Sequence, residues 1–196
     1  MSELLRSIDL GLFVFINQSL QNAVLDFLMP FITDLNKQLP VLITVLAILA
    51  WMVVKGGTTG RIAAVLLIIT ITFSDQLSSS WVKHLFERVR PCHELENVHL
   101  LVDCGSGYSF PSSHAVNSFA GATVLSFFFR KWLWAFASFA VVAALSRIYV
   151  GVHYPSDVAG GALLGFACGA LIVYLFILAK SWWIARTKKT PEMPND

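Results

Sequence analysis

Five stretches of the chain run without a formal charge: residues 38–54, 62–74, 115–129, 132–146 and 158–179. Such sustained apolar runs read as membrane-spanning helices or large parts of them. Several are shorter than the roughly 20 residues a span needs, so they must extend into flanking residues that carry charge. Residues 1–37 behave differently, because Asp9, Asn17, Gln18, Gln21, Asn22 and Asp26 interrupt the apolar positions and Pro30 and Asp34 follow. That pattern predicts an interfacial or re-entrant helical pair. The predicted fold is therefore all-α, a polytopic membrane helical bundle of about five spanning helices. It has an N-terminal helical segment (1–37), a transmembrane core (38–186) and a short cytoplasmic tail (187–196). The N-terminus lacks the basic start and small-residue cleavage site of a signal peptide, so it is read as mature sequence.

Composition agrees with this picture: 56% of the 196 residues are hydrophobic and 13% charged, and mean hydropathy is +0.68. An ordinary soluble domain is excluded, the bilayer is the expected partner, and no nucleic-acid partner is expected. Threading the five spans alternately collects Lys55, Arg61, Arg130, Lys131, Lys180, Arg186, Lys188 and Lys189 on one side. Basic loops mark the cytoplasmic face. Trp132, Trp134, Trp182 and Trp183 stand beside them, where aromatic anchors or plain lipid-facing bulk are expected. Residues 86–110 and 150–154 then fall on the opposite face with the N-terminal segment, the periplasmic or outer side of a bacterial inner membrane. Of three cysteines, Cys168 lies within the last span and is expected to be inert packing. Cys92 and Cys104 share one extracytoplasmic loop, where an oxidising compartment allows them to pair, and spacing alone leaves that pairing open.

Ionisable groups at membrane depth are expensive and so are functional candidates by default. Three clusters gather at span ends on the extracytoplasmic side. In the first, Lys83 and Arg90 lie seven residues apart. They share a helical face if the second span continues to Pro91, which would end it. Two cations aimed at one point suit an anion. In the second, Pro111, Ser112, Ser113 and His114 precede the third span, where unpaired backbone N–H groups and the positive end of the helix dipole favour a phosphate. In the third, His153 and Asp157 lie four apart around Pro155, a good helix starter. The carboxylate can thus approach the imidazole, fix its tautomer and leave the other ring nitrogen free to attack phosphorus. Ser146 and Arg147 close the preceding helix. Any one cluster alone has an ordinary structural explanation, as snorkelling side chains, a helix cap or a buried polar pair. Three on one face do not.

Lys83 with Arg90-Pro91, then Pro111-Ser112-Ser113-His114, then Ser146-Arg147 with His153 and Asp157, resemble the tripartite signature of the type-2 phosphatidic acid phosphatase superfamily. The resemblance covers residues 83–157 directly. Soluble acid phosphatases and vanadium-dependent haloperoxidases share the signature, but the spans exclude both. The resemblance implies a lipid phosphatase in which His153 is the nucleophile, Asp157 orients it and His114 protonates the leaving oxygen. It implies further that Lys83, Arg90, Arg147, Ser112 and the backbone of Ser113 bind the phosphoryl oxygens. Ser113 departs from the glycine usual at its position. No carboxylate cluster with metal-binding spacing accompanies these cations, so neither metal nor cofactor is expected. His84, His93 and His99 are expected to be solvated loop residues, and Asp75 to pair with a cation or with polar groups such as Asn117 from a neighbouring helix. On the resemblance, undecaprenyl diphosphate leads the candidate substrates, ahead of phosphatidylglycerol phosphate, phosphatidic acid and lipid A 1-phosphate. A non-enzymatic lipid-phosphate binder or translocator is the rival, but it has no need of His114, His153 and Asp157 together. An acid and a base of this type predict a bell-shaped pH profile.

Overall fold

The structure, a computed structural model, describes residues 3–187; Lys188, Lys189 and the remaining tail lie outside the described residues. Those residues form an all-helical membrane bundle. Helix α1 (Glu3–Val14) runs into a π-helical stretch (Phe15–Ser19), and the chain then bends by 115° into α2 (Ala23–Thr33). Asn22 makes the bend possible by capping α2, its side-chain oxygen accepting the N–H groups of Val24 (3.1 Å) and Leu25 (3.0 Å). Of the polar residues that interrupt the apolar pattern here, Asp9 and Asn17 are buried and Asp26 is partly buried, while Gln21 and Asn22 stay exposed. Asn17, fully buried, donates to the carbonyls of Tyr149 (2.7 Å) and His99 (2.9 Å). Asp26 accepts the Tyr149 hydroxyl (2.5 Å) and pairs with His99 Nε2 (2.9 Å). His99 is therefore a half-buried clamp between loop and helix, not the solvated residue that its loop position suggested.

Five longer helices follow and extend the bundle: α3 (Leu39–Lys55), α4 (Gly57–Gln76), α7 (Ser113–Phe128), α8 (Leu133–Tyr149) and the 33-residue α9 (Pro155–Thr187) lie in this chain order, with the short α5 (Lys83–Phe86) and α6 (Pro91–Glu94) between α4 and α7. Three stretches, Gly57–Glu94, Arg130–Tyr149 and Pro155–Thr187, are long and apolar enough to cross a membrane, and the bent N-terminal pair adds a fourth if it is one broken span. Helices α3 and α7, which the apolar runs counted as spans, have only 17 and 16 residues. Large apolar side chains such as Trp51, Leu163 and Phe166 are well exposed on the outside of the bundle, as a bilayer solvent demands.

Helix α7 packs between α4, α8 and α9. Its approach to α9 is very close, because small residues meet there. A Cβ at Gly165 would overlap the Val116 carbonyl, and one at Gly161 would meet Ser112 and Ala115. This contact sets the N-terminus of α7 beside the first turn of α9, and the Ser112 N–H donates to the Asp157 carbonyl (3.1 Å).

Candidate active site

The second span does not carry Lys83 and Arg90 on one continuous helix. After α4 the helix widens into a π stretch (Leu77–Val82) and stops at Phe86, where Glu87 takes a left-handed conformation (φ 45°). Arg90 is extended and Pro91 begins α6 instead of ending a helix. A turn, not a helical repeat, brings the two cations to one side. Arg90 is then fixed by loop carbonyls, donating from Nη1 to Cys104 (2.5 Å) and from Nε to Gly107 (2.8 Å). The same loop is tied by a Cys92–Cys104 disulfide, Cα–Cα 6.3 Å, which answers the question that the spacing left open. Among the described residues, Cys92, His93 and Cys104 form the one group spaced to hold a metal ion, and the disulfide removes its two thiolates.

Ser112 occupies the N-cap position of α7 with its backbone extended, yet its side chain makes no capping bond. Its hydroxyl is buried without a partner. Ser113 turns the other way, its hydroxyl lying 3.4 Å from that of Ser78 and 3.3 Å from that of Ser79 on the π stretch. The serine that replaces the usual glycine thus has polar neighbours outside the cradle. One turn along α7, Asn117 donates to Asp75 (2.9 Å) and accepts from Ser74 (2.8 Å), a polar clasp between α4 and α7 of the kind expected for Asp75.

His114 lines a cavity of about 370 Å³ with Thr33, Asp75, Ser113 and Asn117. A second cavity of about 420 Å³, lined by Val41, Val45, Leu125 and Phe136, shares Leu35, Ile71, Asn117, Ser118 and Phe139 with the first. A chamber with His114, Asp75 and Asn117 in an otherwise largely apolar lining thus adjoins an apolar groove.

Arg147, 7% exposed, closes α8 and donates from Nη1 to the buried Thr33 hydroxyl (2.9 Å), while its Nε has no partner. His153, 2% exposed, sits in the loop before α9, and its Nδ1 lies 3.6 Å from Oδ2 of the fully buried Asp157. That distance is too long for a hydrogen bond, and Nδ1 is also without a partner. Burial holds the His153 pKa well below the usual histidine range, and the charges of Arg147, Arg90, Lys83 and His114 push it the same way. The four groups that act on His153 from different elements are the ones the three sequence clusters singled out.

Four buried side-chain polar atoms among the described residues have no partner, and three of them belong to Ser112, Arg147 and His153. Unpaired buried polar atoms are costly; the Ser112 hydroxyl and Arg147 Nε are left for a polar ligand, while His153 Nδ1 faces Asp157. Residues 63–181 match the family model described as the PAP2 superfamily. The chain belongs to the PAP2 superfamily. It is 33% identical over 191 residues to the lipid A 4'-phosphatase of Bacteroides thetaiotaomicron, covering 89% of this chain and 80% of that protein. It is 34% identical over 161 residues to the undecaprenyl-diphosphatase of Sulfolobus acidocaldarius, covering 80% and 73%. Its fold matches the crystal structure of the first transmembrane PAP2 type phosphatidylglycerolphosphate phosphatase from Bacillus subtilis with a TM-score of 0.69 and 25% identity, over 89% of this chain and 87% of that one. The protein is a membrane lipid phosphatase of the PAP2 superfamily.

Three residues outside the three motifs contact the candidate site residues. Thr33 holds Arg147 from α2. Arg88 bridges Asp157 and Asp9. Asp9 had a visible signal, a carboxylate inside an apolar helix, and it is 5% exposed. Arg88 lies two residues before Arg90 and was eclipsed by it.

Proposed function

We propose that the protein hydrolyses a lipid diphosphate or phosphomonoester by way of a phosphohistidine on His153, without a metal, at the extracytoplasmic face of a bacterial inner membrane. The observation that carries this reading is the pair of buried, unpartnered donors on Ser112 and Arg147, together with a buried His153 whose neighbouring charges are cationic. Phosphoryl transfer chiefly needs in-line positioning and neutralisation of the equatorial oxygens. Lys83, Arg90 and Arg147, with Ser112 and the first N–H groups of α7, supply that neutralisation. The charge that a metal would bring is already provided.

In the first step His153 Nε2 attacks phosphorus while the bond to the lipid oxygen breaks, and His114 gives that oxygen its proton. Asp157 receives the Nδ1–H as positive charge develops on the ring. In the second step water attacks the phosphohistidine, His114 takes the water proton, the N–P bond breaks and inorganic phosphate leaves. A burial-depressed His153 is neutral before the attack, as a nucleophile requires.

The apolar groove beside the His114 chamber favours a long hydrocarbon chain over a soluble phosphate ester. The leading substrate is undecaprenyl diphosphate, supported by the likeness to an undecaprenyl-diphosphatase. A lipid A phosphate is the second reading, favoured by the likeness to a lipid A 4'-phosphatase across 89% of the chain. Phosphate release by the detergent-purified protein in EDTA tests both. The panel is undecaprenyl diphosphate, lipid A, phosphatidylglycerol phosphate and phosphatidic acid, with His153→Ala as control. Fastest release from the prenyl diphosphate supports the first reading, fastest release from lipid A replaces it with the second, and no release in EDTA overturns the metal-free mechanism.

A further inference from the structure

We propose that Arg88 and Asp9 are positioning residues for the reaction: the chain Asp9–Arg88–Asp157 fixes the carboxylate that serves His153 and couples it to the N-terminal helix. The inference rests on the reading of His153 as nucleophile. Arg88 Nη1 donates to Asp157 Oδ1 (2.7 Å) and to Ser156 Oγ (2.6 Å), and Nη2 donates to Asp9 Oδ2 (2.7 Å). The guanidinium also lies over the Tyr154 ring, 4.0 Å from its centroid. Asp9 Oδ1 accepts the Ser156 N–H (2.8 Å) and Oδ2 the Ser156 hydroxyl (2.6 Å). Helix α1 is thereby fastened to the first turn of α9 at Ser156 and Asp157, three and four residues after His153.

An aspartate with only a histidine as partner can rotate about its last side-chain bond. Asp157 cannot, because Oδ1 is gripped by the planar guanidinium and Oδ2 accepts the Tyr154 N–H (2.8 Å). Oδ2 is consequently the oxygen held towards His153 Nδ1. A fork with two fixed arms suits this bridge, whereas the point charge of a lysine serves one carboxylate at a time. Charge is shared as well as geometry. Arg88 faces two carboxylates, so it does not fully neutralise Asp157, and the Asp9 charge preserves the pull of Asp157 on the imidazole. Neither Arg88 nor Asp9 reaches the phosphate cradle; both act through Asp157.

The test uses the full-length protein in detergent, with phosphatidic acid in mixed micelles as probe substrate, and compares kcat, KM and the acid limb of the kcat profile. The charged groups acting on His153 are Asp157, Arg147, Arg90, Lys83 and His114, and all are left intact. Arg88→Met should lower kcat about tenfold to a hundredfold, the usual scale for an outer-shell partner, with KM unchanged. It should also raise the acid limb, because an uncompensated Asp157 holds the proton on His153 more firmly. Asp9→Asn keeps the hydrogen-bonding shape and should move the limb the opposite way, since all of the Arg88 charge then falls on Asp157. Arg88→Lys should retain the wild-type limb while losing rate. Opposed shifts cannot come from a loss of folded protein, and Asp9→Asn carries the test if Arg88→Met fails to fold. Limbs of folded Arg88→Met and Asp9→Asn that coincide with wild type would overturn the proposal, as would a raised KM with kcat intact. Turnover surviving in a parallel His153→Ala preparation would instead overturn the nucleophile assignment itself.

Discussion

His153 and Asp157 stand 2% and 0% exposed, whereas Lys83, at the start of α5, and Arg90, in the loop that backbone carbonyls and a disulfide hold, are half-buried. On the proposed mechanism the two sides do different work. The nucleophile side is built from three helices, α1, α8 and α9, whose side chains leave little room to relax, so its geometry is set before a ligand arrives. The Lys83–Arg90 side brings charge on a loop edge, where a head group can enter. Rigid chemistry beside adaptable capture suits a bulky lipid whose phosphate must be aligned in one orientation.

Substitutions on the rigid side should do the most damage. His153→Ala is expected to reduce turnover by on the order of 10³-fold or more while leaving affinity for a lipid phosphate intact, as measured by binding to vesicles containing phosphatidic acid. Arg147→Ala, which removes a buried donor from the cradle, should lower kcat by about 10²–10³-fold. Reducing the Cys92–Cys104 bond, or Cys92→Ser, should act on the loop side: Arg90 loses an anchored carbonyl partner, KM rises and kcat changes less. Ordering lost with such a bridge is roughly 2–4 kcal/mol. Equal losses of kcat from Cys92→Ser and Arg147→Ala would dissolve the distinction between the sides. Ser113→Gly should have the smallest effect, about twofold in kcat/KM, because its hydroxyl makes only long contacts to Ser78 and Ser79.

The pH dependence sharpens the comparison further. Because burial and surrounding cations depress the His153 pKa, the free enzyme keeps this imidazole neutral through and below the ordinary histidine range. The acid limb of kcat/KM assigned to His153 should therefore lie below about pH 6.5. The same shift has a stability consequence with a definite sign. The unfolded chain takes up a proton at this position before the folded one does, so stability should fall as pH drops below the ordinary histidine value, and His153→Asn should weaken that dependence.

Much of this arrangement was legible because a bilayer penalises polar residues: Lys83, Arg90, His114, Arg147, His153 and Asp157 stood out against apolar runs. The bent N-terminal pair was legible for the same reason, through Asn17, Asn22 and Asp26. What stayed hidden depends on contacts between distant segments. No local pattern joins Asp9 to Arg88 or Thr33 to Arg147, and no glycine or proline warns that the helix stops at Phe86 with Glu87 left-handed. The seven-residue spacing of Lys83 and Arg90 fitted a helix that the chain does not form there. His99 resembled a loop residue because its partner, Asp26, lies 73 positions away.

The central claim is the covalent step on His153. Rapid base quenching of the purified protein during steady-state turnover in EDTA, followed by mass spectrometry of the peptide containing residues 148–157, reads that step directly. One phosphoryl group is expected on His153 in the wild-type protein and none in His153→Ala, whose turnover is lost. Sustained turnover by His153→Ala, or wild-type turnover that stops in EDTA with His153 never modified, would contradict it.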